Sequence, residues 1–237
     1  ASIRGNQFVQ SSAWSGNRLL TIYRPAAIAG NQFQAIDAFA VWYEANSPVR
    51  IDSNTVQTSS SSASIQAIHV NTDSAVTVRF NRISGRWSRG LYTDGNGALV
   101  VRRNTVDSVQ GAVDLSSAQV VVDSNVIRNG QFGVQLRSSG CTLSSCRVVT
   151  NSMANLTDFG VKAMSTSAQV AATGNWWGSA SGPRDDDDSG FDFNPAGTGV
   201  RVLDGTSGSG RVSYRPWLTA EPSSVGTPLA APRPLLA

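Results

Sequence analysis

Seven segments of this chain close on the same residue: ASIRGN (1–6), AAIAGN (26–31), VRIDSN (49–54), VTVRFN (76–81), LVVRRN (99–104), VVVDSN (120–125) and VAATGN (170–175). An eighth, CTLSSC (141–146), falls into the series with Cys146 in the last place. Neighbouring members lie 21 to 29 residues apart. Self-similarity at such a period marks units that bury their apolar face only by stacking on one another.

Aligned on that last position, the segments make apolar columns. Five residues before it stand Ala1, Ala26, Val49, Val76, Leu99, Val120, Cys141 and Val170; three before it stand Ile3, Ile28, Ile51, Val78, Val101, Val122, Leu143 and Ala172. Side chains two apart on a strand share a face, so each segment reads as a strand lying parallel on its predecessor. An apolar residue returns two positions later, at Phe8, Phe33, Val56, Ile83, Val106, Ile127, Val148 and Trp177. The asparagines are expected to turn the corner of each coil, because Asn tolerates left-handed backbone and bonds locally. Stacked amides also bond from coil to coil. This predicts a structural ladder of Asn6, Asn31, Asn54, Asn81, Asn104, Asn125 and Asn175.

A second series opens on a small residue: AVWY (40–43), AIHV (67–70), GLYT (90–93), AVDL (112–115), GVQL (133–136) and GVKA (160–163). Two strands and a loop of variable length per coil fit a three-sided coil. The outward residues of the second series are then Trp42, His69, Tyr92, Asp114, Gln135 and Lys162. At roughly 4.8 Å per rung they form a line about 24 Å long.

These repeats resemble the right-handed parallel β-helix of the pectin-lyase-like superfamily, in its loosely repeating bacterial branch. GNWWGSASGP (174–183), NPAGTGVRV (194–202) and VSYRPWL (212–218) are similar to the last coil and cap of secreted β-helix repeat proteins. The resemblance covers residues 1–219. It implies an all-β solenoid of about eight coils with an aromatic C-terminal cap, and a secreted or cell-surface location. Coils are expected over 1–178, starting mid-coil with a cap or further coils upstream. The final loop and cap follow over 179–219, with Trp176, Trp177, Pro216 and Trp217 over the open end, and a Pro/Ala-rich tail or linker over 220–237.

Enzymes of this superfamily bind polysaccharide along one sheet. Its hydrolases carry a Gly-His-Gly element and its lyases an Arg-x-Pro-x-x-Arg element. Here the single histidine, His69, stands between Ile68 and Val70, and YRPAAI and YRPWLT both lack the second arginine. The resemblance therefore carries the fold further than those activities.

Composition closes other doors. Lys162 is the one lysine among 19 basic residues, and the arginines are scattered rather than interleaved with aromatics, which excludes a nucleic-acid face. No run approaches the ~20 apolar residues of a membrane-spanning helix. Cys141 and Cys146 lie five apart, about 16 Å on an extended strand, too far for a disulfide; unless a bend intervenes they are buried thiols. With one His and two Cys, no zinc site is expected.

Trp42, His69, Tyr92, Asp114, Gln135 and Lys162 are the glycan-binding candidates, since rings stack on sugars while amide, carboxylate and ammonium bond hydroxyls and uronates. His69, Tyr92, Asp114 and Lys162 are also the candidate catalytic groups for proton removal beside a carboxylate. Asp52/Arg79 and Arg102/Asp123 read as charge pairs across rungs. No cofactor is required; Asp185, Asp186, Asp187, Asp188 and Asp192 are the calcium candidates, with Asn194 nearby, against the alternative of a solvated loop. The expected function is a non-catalytic module, monomeric or part of a longer chain, that binds a polysaccharide or cell-surface glycan or builds an adhesive surface. The alternatives are a polysaccharide lyase or glycoside hydrolase acting on a uronate-containing polymer, and a plain structural stalk.

Overall fold

The computed structural model describes residues 1–11, 17–60, 65–203 and 210–226. Its strands are stacked in parallel into a β-solenoid of about seven turns, close to the count expected. Among the described residues no helix is long and apolar enough to cross a membrane.

The first five coils have three strands each, so the stretch expected as a loop supplies a strand of its own. The first face is a nine-stranded sheet running from Ser2–Arg4 through Ala26–Ala29, Val49–Asp52, Val76–Arg79, Leu99–Arg102 and Val120–Asp123 to Arg211–Ser213. Its register is the one the repeats imply: Ile28 pairs with Ile51, Ile51 with Val78, Val78 with Val101 and Val101 with Val122. All of these are buried, and each such side chain removed from water contributes roughly 1.5–3 kcal/mol. The second face follows the asparagines (Gln32–Ala35, Thr55–Thr58, Arg82–Ser84, Thr105–Asp107), with Phe33, Val56, Ile83 and Val106 pointing inward. The third face contains Ala38–Glu44, Gln66–Asn71, Arg89–Asp94 and Gly111–Leu115. In the next two coils single long strands, Val126–Leu136 and Ser152–Ala163, bend across both the second and third faces.

The asparagine ladder is present from end to end. Each Oδ1 accepts from the backbone N–H and the Nδ2 of the asparagine one coil earlier, as Asn81 does from Asn54 at 2.9 Å for both bonds. Nδ2 in turn donates to a carbonyl of the first face, Asn81 to Ile51 at 2.9 Å, which satisfies a group that the strand ladder leaves behind at the corner. The left-handed residue is not the asparagine itself. Ser53, Phe80, Arg103, Ser124 and Thr150, with Gly5, Gly30 and Gly174, stand one position earlier at φ between 53° and 66°. The corner thus forces even Phe and Thr into a conformation that costs ~1–2 kcal/mol, while the asparagine holds the bend by its bonds.

One coil departs from the expected register. Cys146 pairs with Val120, and Val148 with Val122, so this coil reads CRVVTN and its ladder residue is Asn151. Asn125 bonds to Asn151, and Asn151 to Asn175. Met153, not Val148, lies beside Ile127, and Leu143 is exposed. Residues 141–145 form a turn instead of a strand, which brings the Cα atoms of Cys141 and Cys146 to 5.3 Å and joins them in a disulfide. The expectation of two thiols fails because it assumed an extended chain.

At the far end Trp177 and Tyr214 are buried, and Trp217 is half-buried, its Nε1 donating to the Ala180 carbonyl. Pro216 is exposed and Trp176 only half-buried. Residues 220–226 run back along the second face: Ser152 Oγ donates to Glu221 at 2.7 Å, and Gly226 N–H donates to the Ser124 carbonyl. Residues 227–237 lie outside the described residues.

Candidate functional site

The six outward positions of the third face are in direct register. Trp42 pairs with His69, His69 with Tyr92, Tyr92 with Asp114, Asp114 with Gln135 and Gln135 with Lys162. Their spacing is set by the backbone ladder, so the side chains meet whatever their chemistry.

At the N-terminal end the rings stack on each other. Trp42 lies 3.9 Å from His69 at 14°, and the Arg18 guanidinium lies 3.6 Å from the Trp42 ring. Arg18 belongs to the preceding coil and His69 to the next, so both faces of the indole are covered and its edges point outward. Phe39 meets it edge-on, and indole Nε1 donates to Glu44 at 3.1 Å. His69 is buried, 5.2 Å from the Tyr92 ring, with Nε2 3.7 Å from Asp94 and Nδ1 lacking a partner. Burial lowers its pKa; Arg18 and Arg137 add to this against the opposing pull of Asp94 and Glu44. Burial also raises that of Tyr92.

The middle of the line is ionic. Asp114, 2 % exposed, receives Arg89 Nε at 2.9 Å and Gln135 Nε2 at 3.2 Å. Arg137 Nε stands 2.8 Å from its other oxygen, an ion pair without hydrogen-bond alignment. Arg137 also bonds the Thr93 carbonyl and Asp94 Oδ1 and lies over the Tyr92 ring. It therefore ties three coils together. Further on, Phe132 stacks on Phe159 at 5.1 Å, with Arg89 above one ring and Lys162 Nζ 5.9 Å from the other. Phe132 lies so close over Gly111 that a Cβ there would approach the ring to 2.2 Å.

Arg18, Arg89, Asp94 and Arg137 went unnoticed in the sequence. Asp94 and Arg137 stand two positions past Tyr92 and Gln135, so strict alternation would have placed them on the same face. Arg18 and Arg89 stand three positions before the line, where strict alternation would have placed them on the opposite face.

The acidic run disperses. Asp185 is buried, accepts from Tyr214 Oη at 3.0 Å, and has its pKa raised by burial. Asp186 pairs with Arg184, Asp187 accepts from Ser189, and Asp188 is exposed. Asp192 accepts from the backbone N–H groups of Tyr214 and Arg215, and Asn194 donates to the Ser181 and Pro183 carbonyls. Among the described residues no three His, Cys, Asp or Glu side chains converge on one point suited to a metal. Asp52 and Asp123 do pair across rungs with Arg79 at 3.0 Å and Arg102 at 2.8 Å.

Residues 21–176 match the family described as "Right handed beta helix region", more than half of the 237 residues. The chain belongs to the right-handed β-helix family. Among curated proteins and solved structures, none matches it significantly. The third face of this β-helix is thus a rigid surface of ring edges, guanidinium groups and amides. Asp114 and Asp94 there are held by arginines.

Proposed function

We propose that this β-helix is a non-catalytic, secreted or cell-surface module whose third face binds an acidic polysaccharide along the solenoid axis. The observation that carries the reading is the state of the carboxylates. Asp114 is held by two arginines, Asp94 by Arg137 and Glu44 by the indole of Trp42. Arg18, Arg89, Arg137 and Lys162 face Glu44, Asp94 and Asp114, four positive charges against three negative, a balance of +1. Among the described residues no carboxylate pairs with Lys162. A polyanion finds fixed donors there and little like charge. The Cys141–Cys146 disulfide supports a place outside the reducing cytosol.

The partnerless Nδ1 of His69, beside Tyr92, favours a second reading as a polysaccharide lyase. One experiment separates the readings: acidic and neutral polysaccharides, with and without calcium, followed by gel retardation and by the absorbance of unsaturated uronate products. Retardation by acidic polymers without product, weakened in Trp42→Ala, is expected. Product that vanishes in His69→Ala overturns the non-catalytic reading, and silence in both channels leaves a structural stalk.

A further inference from the structure

The outward side of the first face gathers arginines that are scattered in the sequence. Over its seven strands from Ser2–Arg4 to Cys146–Val149 two outward rows run along the axis. Arg50, Thr77, Val100, Val121 and Arg147 stand in register in one, and Asp52, Arg79, Arg102 and Asp123 in the other. Six steps of roughly 4.8 Å make this surface about 29 Å long. With Arg4 at its start, five arginines stand against two aspartates, a balance of +3, as much as the whole chain carries. Height as well as number favours the positive charge. The Asp52 and Asp123 side chains are 12 % and 18 % exposed, whereas those of Arg50, Arg79 and Arg102 are 52 %, 37 % and 52 % exposed. Two guanidinium groups, Arg50 and Arg79, share the one carboxylate of Asp52. Among the described residues no carboxylate pairs with Arg4 or Arg147. A body approaching this face meets guanidinium before carboxylate.

Apolar side chains border the same surface. Among the described residues seven large hydrophobic side chains are exposed, and four of them belong here. Val100 lies in the first row. Tyr23, Leu143 and Met164 stand on the edge where the third face turns into the first. Tyr23 lies between Asn17–Ile22 and Ala26–Ala29, Leu143 in the turn before Cys146–Val149, and Met164 between Ser152–Ala163 and Gln169–Ala171. On that edge Arg24 and Asp73 cancel in charge. The outward residues between the arginines, such as Ala27, Ala29 and Thr77, are short, which keeps the sheet flat and lets the guanidinium groups stand above it. The acidic run lies beyond this surface: Asp185 accepts from Tyr214, which follows the last first-face strand, Arg211–Ser213.

We infer that the first face is a docking surface for an anionic phospholipid bilayer, with its guanidinium groups on lipid phosphates and Tyr23, Leu143 and Met164 at headgroup level. Guanidinium groups bind phosphate oxygens in pairs, and basic groups are drawn to the negative potential of such a membrane. A tyrosine ring, apolar with a polar tip, suits the boundary between headgroups and acyl chains. A soluble polyanion answers the charge but offers the apolar edge nothing to enter, whereas a bilayer surface answers both. A flat, rigid sheet also matches a planar partner better than a single extended chain. The inference is independent of the function proposed above, since the third face lies on another side of the coil and stays open when the first is covered.

The test is flotation of the whole chain with phosphatidylcholine vesicles, and with vesicles that also carry about 30 mol% phosphatidylglycerol. Each is run at about 0.05 M and about 0.5 M salt. Binding to the anionic vesicles is expected to exceed that to the neutral ones roughly tenfold at low salt and to fall away at high salt. Combining Arg4→Gln, Arg50→Gln and Arg147→Gln, all at exposed residues, removes the excess charge yet leaves Arg79 on Asp52 and Arg102 on Asp123. This variant is expected to lose roughly tenfold in binding to the anionic vesicles. Tyr23→Ser with Leu143→Ser is expected to weaken vesicle binding several-fold without changing the binding of dextran sulfate, a soluble polyanion. Trp42→Ala should leave vesicle binding as it is. Failure to float, equal binding to neutral vesicles, or full binding by the triple arginine variant overturns the inference. Dextran sulfate bound as tightly as the vesicles, with Tyr23 and Leu143 mattering to neither, overturns it in favour of a general polyanion surface.

Discussion

The side-chain amide of Asn125 donates to Oδ1 of Asn151 across 2.9 Å, although 26 residues separate them. Asn125 also accepts from the backbone and side chain of Asn104, and donates to the Val101 carbonyl. Truncation to Asn125→Ala leaves buried groups on two coils unpaired, on the order of 1–3 kcal/mol for each. Asn6 at the first coil is exposed, so water can replace its bonds. Urea unfolding is expected to show a several-fold larger loss for Asn125→Ala than for Asn6→Ala.

Asp114 gives a second test. Removing one partner of a buried ion pair costs about 3–5 kcal/mol, and Asp114→Ala strands Arg89 and Arg137 together. Both arginines keep about a quarter or more of their side-chain exposure, 27 % and 29 %, so the loss is expected near the lower end. Exchange of the Arg137 guanidinium protons should quicken in the same variant, since its bond to Asp94 loses its support.

The single histidine makes a pH prediction clean. Burial lowers the His69 pKa in the folded chain, so below the unfolded value of ~6.5 the unfolded state binds the extra proton. The contribution is fully present above that pH and is lost as pH falls through the depressed folded value. The imidazole resonance is expected to titrate below 6.5, and His69→Phe to flatten the fall of stability with acid in that window. A midpoint above 6.5 contradicts the burial argument.

The disulfide closes a short loop, since its cysteines lie five apart. Loop-closure entropy for a ring of this size is worth about 2 kcal/mol. Replacing both cysteines by serine is expected to lower the unfolding free energy by about that amount while the Asn125–Asn151–Asn175 bonds persist, visible as protected amides at those residues.

Period and alternation alone fixed much of this protein. The columns through Ile28, Ile51, Val78, Val101 and Val122 dictate parallel stacking, because a side-chain period of two leaves one face to bury. The same logic places Trp42, His69, Tyr92, Asp114, Gln135 and Lys162 on one line. Where the repeat is interrupted, sequence pattern has no hold: CTLSSC mimics a strand, and only the turn at 141–145 moves the register to Asn151 and closes the disulfide. The chemistry of the third face was also decided in three dimensions. Arg137 reaches Asp94 and Asp114 from the coil beyond, and Arg18 covers an indole that would otherwise lie open to a sugar. Local sequence sets which way a side chain leaves its strand; the stacking of coils decides which charges and rings it meets there, because those partners lie one or two turns away along the chain.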